Sequence, residues 1–132
     1  METNQAQRLS GVESRQTLLL THIGRKSGKT FRVTIWFIAA GDRIFLPTAN
    51  VNRQWVRNLR QTPLARLEIG GEKFSGAARF IVDPDERARV LAMVRGKYWM
   101  YLPVIALGQM LAAIGLVKDN SGAFEVTLGE AS

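Results

Sequence analysis

Hydrophobic positions in this chain recur mostly at strand spacing, and at helix spacing in two places. Residues 17–23 (TLLLTHI) form a short apolar run ending in a glycine-rich turn, which predicts a buried strand. Residues 24–29 (GRKSGK) supply the turn. Residues 31–38 (FRVTIWFI), rich in β-branched and aromatic side chains, predict the returning strand of a hairpin. Alternation puts Phe31, Val33, Ile35 and Phe37 on one face and Arg32, Thr34 and Trp36 on the other. Gly41 and Asp42 turn the chain into a third strand at residues 43–47. Residues 52–61 (NRQWVRNLRQ) switch to helical spacing, with Trp55, Val56 and Leu59 on one face and Arg53, Arg57 and Arg60 on another. Asn52 is the expected N-cap, and Pro63 lies just past the end. Residues 64–69 and 73–82 predict strands joined by Gly70 and Gly71, a hairpin signal. Asp83-Pro84-x-Glu86 opens a second helix with an aspartate cap and a proline at the first position. Val90, Leu91, Val94 and Tyr98 continue its apolar face, and Phe124, Val126 and Leu128 alternate in a last strand.

Strands outnumber helices and hairpins dominate. The expected fold class is mainly β (α+β): an antiparallel sheet of about six strands, curled into a barrel, with two or three helices. A chain of 132 residues is one domain's worth, with residues 1–16 expected to be flexible or an N-terminal arm. One stretch stands apart. Residues 102–117 (LPVIALGQMLAAIGLV) contain a single polar residue, Gln109, and no charge falls between Lys97 and Lys118. The stretch is slightly short for a membrane span, which takes about 17–25 apolar residues. It is expected to be a buried helix or the contact of a homodimer, with a weak peripheral membrane contact as the competing use.

Charge narrows the partners. The net charge is +7, and it is unevenly placed. Residues 14–67 hold ten Lys and Arg against one acid, Asp42, whereas the remainder holds eight bases against ten acids. A field so one-sided attracts an anion: nucleic acid, an anionic membrane surface, or a phosphorylated or carboxylated small molecule. The absence of cysteine excludes disulfides, thiolate metal sites and a cysteine nucleophile. It fits a reducing cytoplasm, and no apolar run follows a basic start at the N-terminus, so a cytoplasmic location is expected.

The chemistry concentrates in the first turn. Gly24 and Gly28 let backbone N–H groups approach a ligand closely, Arg25, Lys26 and Lys29 add positive charge, and Ser27 adds a hydroxyl donor. Together they compose a cradle for a phosphate or carboxylate, though an ordinary surface turn has the same composition. His22 is the only histidine, and a lone histidine in a strand is more often structural than catalytic. With no cluster of ligand spacing, no metal is expected. No Ser-His-Asp ordering with an elbow motif supports hydrolysis. Tyr98, Trp99 and Tyr101 cluster at the end of the second helix. They pack the core or wall a substrate pocket, where the hydroxyl of Tyr98 or Tyr101 is the candidate catalytic proton donor to a reduced acceptor. The stripe Arg53-Trp55-Arg57-Arg60 raises nucleic acid as a partner, but no nucleic-acid motif accompanies it and none is expected.

Three blocks carry a resemblance. Thr21-His22-Ile23-Gly24-Arg25-Lys26-Ser27-Gly28 is similar to the T-x-G-R-K-[ST]-G signature of the deazaflavin-dependent nitroreductase family, one residue longer between Thr and Gly. Trp55 to Pro63 resembles that family's W-x-x-N-L-x-x-x-P block, and the Asp-Pro-x-Glu-Arg start at residues 83–87, with Lys97-Tyr98 at the helix end, is a third. The resemblance runs over roughly residues 17–128. It implies a split β-barrel related to the barrels that bind flavin mononucleotide, and reduced deazaflavin (coenzyme F-420) as hydride donor to a small-molecule acceptor such as a quinone or nitroaromatic. It places Arg25, Lys26, Ser27 and Gly28, with Lys29 beside them, near the cofactor's phosphodiester and polyglutamate. The ring is then expected over the second strand near Thr34 and Trp36, and over the loop and helix start that hold Asn50, Asn52, Arg53 and Trp55. Flavin mononucleotide in the same barrel is the alternative cofactor, and flavin or haem binding without turnover the alternative role.

Overall fold

In the computed structural model, residues 7–101, 103 and 121–129 are described. The apolar run after Gln16 is realised as strand β1 (Thr17–Ile23), which pairs with β2 (Thr30–Trp36) across the glycine-rich turn. Then come β3 (Ile38–Ala40), β4 (Arg43–Thr48), helix α1 (Gln54–Gln61), the hairpin β5 (Leu64–Ile69) and β6 (Glu72–Phe80), helix α2 (Pro84–Lys97), a 3-10 turn (Trp99–Tyr101), and β7 (Gly122–Leu128). All the ladders are antiparallel, and the strand order is β2-β1-β5-β6-β7-β4-β3. The two outermost strands, β2 and β3, are consecutive in the chain and separated by Phe37 alone. The sheet curls around its own apolar face into a split barrel, as the alternation predicts.

The expected strand over residues 31–38 is divided at Phe37, which makes seven strands rather than about six. Both polar groups of the Phe37 backbone are taken by the end of α2. Its N–H donates to the Tyr98 hydroxyl at 3.1 Å, and its C=O accepts from Lys97 Nζ at 2.9 Å. With those groups engaged, the residue leaves the ladder and the chain turns the barrel corner.

Two apolar clusters flank the sheet. The interior is filled by alternate residues of the strands, among them Leu18, Leu20, Ile44, Leu46, Leu67, Ile69, Phe124 and Val126, together with Trp55, Val56 and Leu59 of α1. On the outer face, α2 lays Val90, Val94 and Tyr98 against Ile38, Ile81 and Ala123. α2 starts as expected, with the Asp83 carboxylate accepting from the Glu86 N–H at 3.0 Å. The start of α1 differs. Arg53, not Asn52, is its N-cap and makes no side-chain cap bond, while the Asn52 N–H is held by Asn50 Oδ1 at 2.9 Å. That local bond turns Asn52 out of the capping position.

From residue 7 onward the N-terminal segment is an arm packed on the barrel. Leu9 and Val12 are buried in the interior cluster, and Arg8 bonds Glu72 at 2.9 Å and the Lys73 carbonyl at 2.6 Å. The apolar stretch 102–117 lies, apart from Pro103, outside the described residues. Among the described residues no helix is long and apolar enough to cross a membrane.

Candidate functional site

The β1–β2 turn is built to leave its convex side open. Gly24 and Lys29 close its base, with the Gly24 N–H on the Lys29 carbonyl at 2.7 Å, and the Gly28 N–H returns to the Gly24 carbonyl at 3.0 Å. Gly28 has φ +72°, a region that suits glycine. Gly24 is required for a different reason. A Cβ there would stand 2.7 Å from the Phe31 ring and 3.1 Å from Ser27 Oγ. The Ser27 hydroxyl accepts from the Lys29 N–H at 3.2 Å, so its proton remains available to a ligand.

Beneath the turn lies a buried polar pair. Alternation along β1 puts His22 on the core face with Leu18 and Leu20. On α1, Asn58 shares the inward face with Trp55 and Leu59. Asn58 Nδ2 meets His22 Nδ1 at 3.0 Å, and Asn58 Oδ1 accepts from Arg25 twice, from the backbone N–H at 3.3 Å and from the guanidinium at 2.6 Å. Burial pushes the His22 pKa down, so the ring is neutral at physiological pH. Its other side stacks on Phe31, with centroids 5.8 Å apart.

An open cavity of about 280 Å³ sits against this assembly, lined by Gly24, Arg25, Lys26, Ser27, Phe31, Gln54 and Asn58. Two cations, a hydroxyl and two carboxamides face it, and no carboxylate lines it. α1 begins at its edge with no acidic residue in the first turn, so the positive end of the helix adds to the field. The donor set suits an anionic oxygen group.

The structure thus brings Arg25, Lys26 and Ser27 together at one cavity, with Gly28 and Lys29 in the same turn. The other expected site residues are placed as follows. Thr34 is exposed on β2, four residues along the strand from Thr30 at the turn, or roughly 13 Å. Trp36 is half-buried, and its ring lies flat on that of Tyr98 at 4.0 Å. Asn50, Asn52 and Arg53 are exposed in the loop that leads to Gln54. Trp55 turns the other way, into the barrel interior against Phe124, because it shares the apolar face of α1.

Of the two alternatives for Tyr98, the structure gives core packing rather than a pocket wall. It is 1% exposed, and its hydroxyl is 2.6 Å from the Gln16 carbonyl and 3.1 Å from both polar groups of the Phe37 backbone. That hydroxyl fastens α2 to the barrel corner, and Tyr98 is not among the residues that line the cavity at the β1–β2 turn. Beside it, Lys97 lies 3.6 Å over the Phe37 ring, and burial pushes its pKa down to about 8, opposed in smaller part by the charge of Glu13. Tyr101 ends the 3-10 turn, and its side chain lies outside the described part of the structure. Among the described residues no group of His, Cys, Asp or Glu is placed to hold a metal.

Gln54 and Phe31 join the site without having been singled out as site residues in the sequence, and Asn58 entered there only as the asparagine of the W-x-x-N-L-x-x-x-P block. A signal for Asn58 was present: it is a polar residue at helical spacing between Trp55 and Leu59, on a face that must be buried. Gln54 and Phe31 carried none, since an exposed glutamine and a strand-end phenylalanine are ordinary.

Similar proteins extend the resemblance. A structure described as an F420-H2 dependent reductase (FDR-A) superposes with a TM-score of 0.66 at 18% identity, over 85% of this chain and 94% of that one. HutZ, described as a heme storage protein of Vibrio cholerae, superposes with a TM-score of 0.68 at 14% identity, over 95% of this chain and 90% of that one. Both likenesses are of fold. In sequence, the Mycobacterium tuberculosis protein Rv3178, named as a candidate F420H(2)-dependent quinone reductase, is 35% identical over 78 residues. The match spans 56% of this chain and 65% of the length of that relative. A family model described as F420H(2)-dependent quinone reductase matches residues 1–104, which include the turn, the cavity wall, α1 and α2. Signature, barrel and cradle agree with that match, and the chain belongs to the F420H(2)-dependent quinone reductase family.

Proposed function

We propose that this protein is an oxidoreductase that binds reduced deazaflavin (coenzyme F-420) and passes its hydride to a quinone-like acceptor, with nitroaromatics as a further acceptor class. The observation that carries the reading is the open cavity at the signature turn, whose charged lining residues are both cations. Its walls combine Arg25, Lys26 and Ser27 with the uncapped start of α1. These residues fit an anionic cofactor: the bare Gly24 lets Phe31 and Ser27 close up to the turn as cavity walls, and no carboxylate opposes the charge. Arg25, Lys26 and Lys29 would hold the phosphodiester and its acidic tail, and Ser27 Oγ would donate one hydrogen bond. The exposed Asn50–Asn52–Arg53 loop adjoins Gln54 and would extend the contact toward the ring.

When bound, reduced deazaflavin supplies a hydride from carbon 5 of its ring. The chain's part is to anchor the anionic end and so orient the ring, which lowers the entropic barrier to transfer. Tyr98 is sealed in the core, so the proton that completes the acceptor's reduction is assigned to water or Tyr101. Flavin mononucleotide offers one phosphate to the same donors, and a cradle with this many cations favours the ligand with more anionic groups. The finer readings stand with the proposal: a cytoplasmic protein that works as a homodimer, with the apolar stretch 102–117 at the interface or in weak membrane contact.

The test is a titration of the full chain with deazaflavin, flavin mononucleotide and haem side by side, followed by turnover with a soluble quinone. Deazaflavin is expected to bind tightest. Changing Arg25 and Lys26 to Ala should weaken it by about 1–3 kcal/mol per lost charged hydrogen bond while leaving the melting temperature nearly unchanged. Tighter binding of haem or flavin mononucleotide, or unchanged affinity in the double variant, would overturn the assignment.

A further inference from the structure

The cradle's principal cation does not hold itself in place. Arg25 spends one guanidinium N–H and its backbone N–H on a single acceptor, Asn58 Oδ1. Those two donors fix which end of the Asn58 amide points at the turn, and the Nδ2 end therefore points at His22. An amide nitrogen only donates, so His22 Nδ1 must accept and the ring proton sits on Nε2. His22 also backs the cavity wall by a second route, through its stack on Phe31. Both Asn58 and His22 are almost wholly buried, although a solvent-exposed turn needs neither for its own closure.

We propose that the buried His22–Asn58 pair is a positioning unit for the anion cradle, presetting the Arg25 guanidinium and the Phe31 wall from inside the sheet. The inference rests on the reading of this cavity as the anion site of the cofactor, and it assigns that site two residues that never touch the ligand through a charge. In physical terms, a free arginine side chain loses rotamer freedom when it grips an anion. An arginine already held by a buried acceptor has lost that freedom on folding, so more of its hydrogen-bond energy appears as affinity. Asn58 holds the guanidinium at one edge and leaves the rest of the fork for the ligand. His22 keeps the Asn58 amide from rotating, because the flipped amide would present Nδ2 to Arg25 and an oxygen to an Nδ1 that carries no proton. The pair costs the barrel a polar spot in its core, and nothing in the packing of Leu18, Leu20 and Leu59 calls for one.

The test is a double-variant cycle on the full chain, with two probes titrated separately: oxidised deazaflavin and inorganic pyrophosphate. Arg25→Ala and Asn58→Ala are each expected to weaken binding about tenfold to a hundredfold. The combined variant should be no weaker than Arg25→Ala alone, since Asn58 acts through Arg25. A residue that merely supported the fold would multiply its loss with that of Arg25→Ala. If Asn58→Ala does not fold, Asn58→Ser takes its place in the cycle. A second readout needs no variant: His22 is the sole histidine, so its ring nitrogens are resolved directly by NMR. They should report the Nε2–H tautomer and shift when pyrophosphate saturates the cradle. An Nδ1–H tautomer, or losses that multiply, overturns the proposal. If pyrophosphate binds and deazaflavin does not, the cofactor reading falls and the pyrophosphate cycle decides the positioning role. If deazaflavin binds but the losses multiply, the cofactor reading stands and the positioning role falls. If neither probe binds the unaltered chain, both fall.

Discussion

Changing Tyr98 to Phe separates an architectural tyrosine from a chemical one. The substitution keeps the ring that stacks on Trp36 at 4.0 Å and removes only the hydroxyl. Three backbone groups lie within reach of that hydroxyl. The Phe37 carbonyl keeps Lys97 Nζ at 2.9 Å and loses little. The Phe37 N–H is buried and left without its partner, a cost of about 1–3 kcal/mol. The Gln16 carbonyl is only partly buried and recovers water, so its loss is nearer ~0.5 kcal/mol. The sum is about 1.5–3.5 kcal/mol. At ~2.1 cal/mol/K of unfolding entropy per residue, a chain of this length loses about 3–4 °C per kcal/mol, so the melting temperature should fall by roughly 5–14 °C. Differential scanning calorimetry measures the shift, and turnover is followed well below the new midpoint. Unaltered kinetics are expected there. A melting temperature within about 2 °C of the parent, together with a clear fall in turnover, would refute the placement and return the hydroxyl to catalysis.

Two further outcomes follow from the site. In Gly24→Ala the new Cβ, 2.7 Å from the Phe31 ring, must push that ring toward the cavity, so cofactor binding should weaken while stability drops by about 1–3 kcal/mol, as calorimetric titration and melting would show. Stability should also fall with acid through His22. Its folded pKa is depressed by burial below the ordinary histidine value of 6.5, so below that pH the unfolded chain takes up a proton that the folded chain resists. Chemical denaturation should show full stability above about pH 6.5, declining as pH falls toward the folded pKa, and His22→Phe should remove that dependence.

Much of this architecture was legible because period and turn chemistry agree. The Gly70-Gly71 hairpin and the Asp83-Pro84 helix start are realised within a residue or two of expectation, each being a local signal with one cheap solution. The division at Phe37 was not legible, because it depends on Tyr98 and Lys97, some sixty residues distant, taking the backbone groups of a residue whose own neighbourhood reads as continuous strand. The capping of α1 failed for a related reason. Asn50 competes for the very N–H that frees or binds Asn52, and composition alone does not rank two asparagines. At the site, the cations of the turn were visible as a charge cluster. Asn58 was hidden in plain view, since its value comes from meeting His22 and Arg25 across the fold.

The place of β7 between β6 and β4 has a consequence for how this molecule comes into being. Until residues 122–128 have left the ribosome, the strands already made belong to two separate pieces. One is the four-stranded β2-β1-β5-β6 and the other the short β4-β3 ribbon. Each piece holds an open edge, on β6 and on β4, that the last strand will occupy in registers such as Arg43 with Thr127 and Phe80 with Phe124. Such edges invite pairing with other nascent chains, and the pairing that removes them spans most of the polypeptide, a topology that folds slowly. The joint at Phe37 keeps the two pieces tethered side by side during that wait. A late, central strand thus makes the nascent protein an open clasp, and a short β7 peptide added in trans is the natural agent to close a chain stopped before it.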